Sequence, residues 1–183
     1  MTASFLAGLL ERSRAGDDGA FEKLVEATRE RLFWTVRRMV GREALAEEIL
    51  QDAYVALWGL PAASSPREPE AWLRRFCVNR AIDHLRREET KRPHDGNEAL
   101  ERVASASGPD ETLGLRELEA ALHSALRVLP PQERAAFVMK LIEGLGYPEV
   151  AASLGVTEST VRNQVMQARR KVEKSLRAMG IEL

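Results

Sequence analysis

The chain has little of what covalent or metal chemistry needs. A single cysteine, Cys77, among 183 residues leaves no intrachain disulfide possible. It lies among apolar neighbours, where a small buried side chain is a simpler reading than a reactive thiol. The three histidines, His84, His94 and His123, are scattered, and with one cysteine they make no zinc-ligand spacing. No Ser/His/Asp arrangement, metal cluster or phosphate loop is visible, so no catalytic residue, metal or cofactor is expected and the chain does not read as an enzyme. No apolar run approaches the ~20 residues of a membrane span. The N-terminus lacks a secretory apolar region with a cleavage site. A soluble cytoplasmic protein without membrane insertion is expected. Charged residues make up 30%, yet the net charge is −1. Blanket affinity for nucleic acid is thereby excluded, and any such affinity must come from local patches. No segment alternates convincingly as a strand, so the expected class is all-α.

What is present is helical periodicity. The apolar fraction of 44% fits a folded protein with a real core, and the length fits one or two domains. The clearest stretch runs from Leu145 to Lys174. Val150, Ala151 and Leu154 share one helical face. Pro148 sits near the start, where a missing N–H costs little, and Gly155 offers a left-handed stop. Thr157 can cap a second helix, which buries Val161, Val165, Ala168 and Val172. Ser159, Arg162, Asn163, Met166 and Arg170 then face outward, and the helix has a basic end, Arg169-Arg170-Lys171. This is the layout of a helix-turn-helix, whose second helix can enter the major groove. An ordinary helical hairpin with a wet polar face is the bland alternative; the small-residue turn, the cap and the basic end favour DNA.

The rest of the chain reads as more helices. Residues 4–14 are mildly amphipathic, and Phe21 to Met39 carry helical spacing up to Gly41. A helix from about Glu43 to Trp58 has Leu45, Ile49, Ala53 and Leu57 on one face and Glu47, Glu48, Gln51 and Asp52 on another. Residues 59–69, GLPAASSPREP, read as a loop. From Glu70 to Arg87 a seam of Leu73, Cys77, Ala81 and Leu85 returns. Arg75, Asn79, Asp83 and Arg86 lie on a second face, flanked by Arg74, Arg80 and Arg87. Such a density of guanidinium groups invites a phosphate backbone; a solvated face with an Asp83–Arg87 pair is the alternative. Trp72 and Phe76 are placed to stack on bases, but their spacing is more typical of core. Residues 88–113 carry a net charge of about −4 and few large apolar side chains, which reads as a flexible acidic linker. Leu115, Leu118, Ala121, Leu122, Ala125 and Leu129 mark a further helix, stopped by Pro130-Pro131, and Gln132 to Glu143 another.

Two motifs carry a family resemblance: AEEILQDAYVALW followed by AWLRRFCVNRAIDHLRR, and LPPQERAAFVMKLIEGLGYPEVAASLGVTESTVRNQVMQARRKV. Together they resemble bacterial RNA polymerase sigma factors of the extracytoplasmic-function type, over about Leu9 to Met179. The resemblance implies two small helical domains: region 2 at 1–90 and region 4 at 115–183, joined by the acidic linker at 91–114. That linker is too short for the extra domain of larger sigma factors. It implies promoter-specific initiation with core RNA polymerase, through the β′ clamp helices and β flap, and an anti-sigma partner. Glu47, Glu48, Gln51 and Asp52 match the clamp-docking surface, and a carboxylate face suits a basic coiled coil.

Arg75, Asn79, Arg80, Asp83, Arg86 and Arg87 match the −10 reader and duplex opener, with Asn79 and Asp83 suited to base edges. Ser64, Ser65 and Arg67 fall in the loop that holds a flipped base. Thr157, Ser159, Thr160, Arg162, Asn163, Met166, Gln167, Arg169 and Arg170 match the −35 reader. Many relatives are more basic at 164, 166 and 167, which implies fewer phosphate contacts here; Met166 suits a thymine methyl instead. The linker acids Asp95, Glu98, Glu101, Asp110 and Glu111 fit either a stand-in for RNA or a passive tether. No further domain is expected after Met179. Two rivals stand beside this reading: a response-regulator-type transcription factor, which the N-terminal half disfavours because it lacks a receiver's alternating strands and helices, and a sigma-like protein-binding module without promoter activity.

Overall fold

Apolar residues at helical spacing, interrupted by glycine and proline, divide the N-terminal half into α1 (Ala3–Arg14), α2 (Asp18–Val40), α3 (Glu43–Trp58) and α4 (Pro69–Lys91). The computed structural model describes residues 3–91 and 112–181. Its C-terminal half contains α5 (Thr112–Arg127), α6 (Pro131–Phe137), a π turn (Val138–Ile142), α7 (Tyr147–Leu154) and α8 (Glu158–Ala178). No strand occurs among the described residues. The chain is all-α, as its periodicity predicts.

Helix ends follow local chemistry. The Asp17 carboxylate accepts the Ala20 N–H at 3.2 Å and starts α2. Gly41, at φ 77°, ends it in the left-handed region, its N–H donating to the Arg37 carbonyl at 2.8 Å. Three details differ from expectation. The loop at 59–69 contains a 3-10 turn, Ala62–Ser64. Residues 88–91 and 112–113, read as linker, are helical, as the end of α4 and the start of α5. The expected helix Gln132–Glu143 is α6 followed by the π turn. The rest of the linker, with Asp95, Glu98, Glu101, Asp110 and Glu111, lies outside the described residues.

The N-terminal core is Leu6, Leu10, Leu24, Leu32, Met39, Leu50, Leu57 and Leu73, all almost fully buried. Cys77 joins it, and burial pushes its thiol up to about 12, so it stays a neutral packing group. The C-terminal core is built from Leu126, Leu129, Met139, Val150, Val161, Val165, Ala168 and Val172.

The halves pack on one another: α4 lies against α6 and α7, and α2 against α6 and the π turn. Arg134 of α6 is the central polar contact of this seam. Its guanidinium donates to the Met39 carbonyl of α2 at 2.9 Å and to the Arg127 and Leu129 carbonyls at 3.1 and 3.2 Å. It thus satisfies carbonyls that two helix ends leave open. Beside it Gly41 faces His123 so closely that a Cβ there would overlap the imidazole. Glu143 lies near Thr35; burial raises its pKa, opposed by Thr35 and by the guanidiniums of Arg74, Arg38 and Arg31.

The seam is pH-sensitive in a definite direction. Burial first, then Arg37, Arg127 and Arg134, lower the His123 pKa from 6.5 to about 4. A histidine held neutral contributes fully above pH 6.5 and loses that contribution as pH falls toward 4, because the unfolded chain takes up the proton first. Glu143 acts oppositely, since its raised pKa favours the packed state on acidification. A His123→Gln variant isolates the first effect. Between pH 7 and pH 5 its urea midpoint is expected to fall less than the wild type's; equal falls would remove His123 from the account.

Candidate nucleic-acid and polymerase interfaces

Three exposed faces carry the sequence-predicted residues. The first is on α3. Glu48, Gln51 and Asp52 are exposed, while Glu47 is half-buried and already paired with Arg29 of α2 at 2.6 Å. The carboxylate face is therefore mainly Glu48 and Asp52. Next to it α2 and α3 enclose a groove of about 470 Å³, lined by Phe21, Val25, Leu50, Tyr54, Val55 and Trp58 together with Arg29, Glu47 and Gln51. Val55 is 66% and Trp58 53% exposed. Sequence reasoning missed this apolar part. The signal was there: Val55 and Trp58 fall off the buried seam of an otherwise amphipathic helix, and a large apolar residue left in water marks a contact surface.

The second face is on α4. Arg75, Asn79, Arg80, Asp83, Arg86 and Arg87 are all exposed and recur at helical spacing, so the structure brings them onto one surface. Asp83 and Arg87, a possible pair, are not joined by an ion pair. Arg80 lies over the Phe76 ring at 5.4 Å, and Phe76 stacks on Trp72 at 5.4 Å. Both rings are half-buried against the core, so Trp72 and Phe76 support the arginine face from below rather than standing free for bases. Arg74 does not flank this face. It is buried, bonds Glu70 at 3.5 Å and turns toward Glu143. Ser64 and Arg67 are exposed and Ser65 half-buried in the loop before α4.

The third face is on α8. Thr157 caps the helix by accepting the Thr160 N–H at 3.2 Å, and its hydroxyl also meets those of Ser159 and Thr160 at 2.9 and 2.8 Å. Ser159, Arg162, Asn163, Met166, Gln167, Arg169 and Arg170 are exposed; Thr160 is half-buried. With Gly155 at φ 67° turning the chain, this is the expected helix-turn-helix. The basic end is partly neutralised within the fold. Arg169 pairs with Glu173 at 2.8 Å, and Lys171 with Glu133 of α6 at 2.8 Å. Gln164 is half-buried and turned into the fold: its amide donates to Gln132 of α6 at 3.4 Å.

An expected result follows for α4. Asn79→Ala removes an exposed amide donor and acceptor without touching the core, so if α4 reads bases its effect falls on recognition and not on folding. It is expected to lower discrimination among −10 sequences by about tenfold, the worth of one good base contact, with an unchanged melting temperature. Unaltered preference in a permanganate-footprinting series would reject the base-reading role.

Comparison with known proteins places these faces in context. The Sigma-70 region 2 family profile matches residues 24–91, and the Sigma-70, region 4 profile matches residues 119–172. Together they take in well over half of the chain. The ECF RNA polymerase sigma factor SigE of Mycolicibacterium smegmatis is 32% identical over 165 residues, 88% of this chain and 64% of the relative. The RNA polymerase sigma-H factor of Pseudomonas aeruginosa is 27% identical, over 93% of both chains. Among solved structures, CnrH in complex with the cytosolic domain of CnrY superposes with a TM-score of 0.69 and 26% identity, over 97% of this chain and 99% of that one. The sigma factor RpoE in complex with the anti-sigma factor NepR from Bartonella quintana shares the fold, with a TM-score of 0.60 and 21% identity, over 86% of this chain and 96% of that one.

Proposed function

The chain belongs to the sigma-70 family in its extracytoplasmic-function form, and from that premise we propose that it binds core RNA polymerase and directs it to promoters. Residues 1–90 act as region 2, 91–114 as the linker and 115–183 as region 4. Glu48, Asp52 and Gln51 of α3, with Glu47 at their edge and the Val55–Trp58 groove beside them, meet the β′ clamp helices; the C-terminal half meets the β flap. The arginine and amide face of α4, with Ser64, Ser65 and Arg67, holds the −10 element and its unstacked bases. The polar face of α8 reads the −35 element in the major groove.

One observation carries this reading most. Residues far apart along the chain need not have been exposed together, yet every side chain assigned to a DNA face on α4 or α8 is exposed or half-exposed, on helices whose other faces are buried. A solvated helix also keeps polar side chains outward; what it does not need is the clustering of Arg75, Arg80, Arg86 and Arg87 on α4 or the exposed Met166 on α8.

Polymerisation chemistry belongs to the core enzyme; this chain supplies positioning and duplex opening. An anti-sigma protein is a further proposed partner: RpoE is solved in complex with the anti-sigma factor NepR, and CnrH in complex with the cytosolic domain of CnrY. The chain's proposed place of work is the cytoplasm, beside the polymerase; among the described residues no helix is long and apolar enough to cross a membrane. The response-regulator alternative is not favoured by any of the family matches.

Run-off transcription with purified core polymerase and a promoter library tests the proposal. Discrete transcripts that appear only with this chain are expected, clustered on related −35 and −10 sequences. Core binding without transcripts would leave a protein-binding module of the sigma fold; no core binding would end the proposal.

A further inference from the structure

The geometry points to Tyr147 as a positioning residue for base recognition by Arg162. This deepens the proposal that α8 reads the −35 element and rests on it. Arg162 is in the second turn of α8, where recognition helices reach base edges. Its guanidinium carbon lies 4.1 Å from the centroid of the Tyr147 ring, and one terminal nitrogen approaches Glu158 at 3.5 Å. The side chain is still 58% exposed. It is therefore held at its base and plane while its outer donors stay open.

Tyr147 is itself fixed. It is the first residue of α7, directly after Gly146, whose N–H donates to the Glu149 carboxylate at 2.8 Å. Pro148 follows and restricts the backbone on its other side. A second cation, Lys140 of the π turn, lies 4.7 Å from the same ring and donates to the Leu145 carbonyl at 2.9 Å. The ring is half-buried against the core. Two cations from two different elements thus converge on one aromatic face or edge that local backbone chemistry holds still.

The consequence is recognition without a search. A free arginine side chain loses rotamer freedom when it grips a base, which weakens binding. A guanidinium stacked on an aromatic ring has lost much of that freedom beforehand, and stacking leaves its in-plane N–H donors available. Those donors match the paired acceptors O6 and N7 of guanine. The base class assigned to Arg162 is therefore guanine, and Tyr147 sharpens the choice without touching DNA.

The test uses the full chain with core polymerase and promoters substituted one base at a time across the −35 element. Arg162→Ala is expected to abolish preference at one or two positions. Tyr147→Leu is expected to reduce preference at those same positions by about threefold to tenfold, the worth of one cation–π contact, with the other positions unchanged. Tyr147→Phe, which keeps the ring, is expected to stay within about twofold of the wild type, because the ring face alone supplies the contact. If Tyr147→Leu does not fold, Tyr147→Met, which fills the space without a ring, takes its place. A uniform loss across all promoters, or no loss, with Arg162→Ala still altering preference, overturns the inference and leaves the α8 reading standing. A flat Arg162→Ala profile overturns both.

Discussion

Arg134→Met is expected to lower the thermal unfolding midpoint by roughly 10 °C, the largest stability effect of any substitution considered. The guanidinium of Arg134 is buried and donates to three carbonyls, those of Met39, Arg127 and Leu129. Methionine keeps most of the volume but donates nothing. Each buried carbonyl left without a partner costs on the order of 1–3 kcal/mol, and three share the site. A loss of about 3–5 kcal/mol is the conservative sum, because some carbonyls will find water. For a chain of this size each kcal/mol moves the midpoint by roughly 2–4 °C. Arg134→Lys separates charge from geometry: an ammonium cannot span three carbonyls in the fork a guanidinium provides, so an intermediate loss is expected. A melting curve by circular dichroism that does not move with Arg134→Met would show that these contacts are dispensable.

Reversing Glu48 and Asp52 together to lysine is expected to weaken core polymerase binding by about tenfold to a hundredfold at low salt, chiefly through slower association. Both carboxylates are exposed, so the substitution leaves packing alone and acts through the field that steers encounter. The effect should shrink as salt rises, since the Debye length falls to about 8 Å at physiological ionic strength. Glu47→Lys is expected to do less to binding, because Arg29 already occupies that carboxylate at 2.6 Å. Trp58→Ala provides the contrast: it removes apolar contact from the groove and is expected to speed dissociation with little salt dependence. Stopped-flow association with labelled core polymerase measures both rates. Unchanged association for the double reversal would remove α3 from the docking surface.

Much of the fold was legible because it is local. The limits Glu43 and Trp58 of α3, the stop at Gly155 and the cap at Thr157 all follow from spacing and backbone chemistry within a few residues. The outward faces of α4 and α8 were legible for the same reason. What the sequence did not disclose is what each side chain meets across the fold. Arg74 reads as one more cation in an arginine-rich helix, yet it is buried, bonded to Glu70 one turn back and close enough to Glu143, far along the chain, to act on its charge. Arg134 sits in a polar-looking Gln-Glu-Arg run, yet it reaches back to Met39. Gly41 reads correctly as a helix stop, but nothing near it announces His123. Gln164 looks like a missing cation until Gln132 is seen to accept from it. Tyr147 and Arg162 are fifteen positions apart, on two helices whose crossing brings them together. Periodicity reports which way a residue faces, and tertiary packing decides what waits there.

The seam at Arg134 and Gly41 has a consequence for how promoter affinity is to be understood. In the packed arrangement the two faces proposed to read DNA, on α4 and α8, travel as one body. The two promoter elements are roughly 25 base pairs apart, about 85 Å of duplex at 3.4 Å each, whereas a compact chain of 183 residues has a radius of gyration of only about 16 Å. Simultaneous occupancy therefore requires the halves to part. The work of parting them is subtracted equally from every promoter affinity, so a tighter seam makes a weaker initiator with the same choice among promoters, and a partner that holds the halves apart, the role proposed for the polymerase, returns that difference to the DNA.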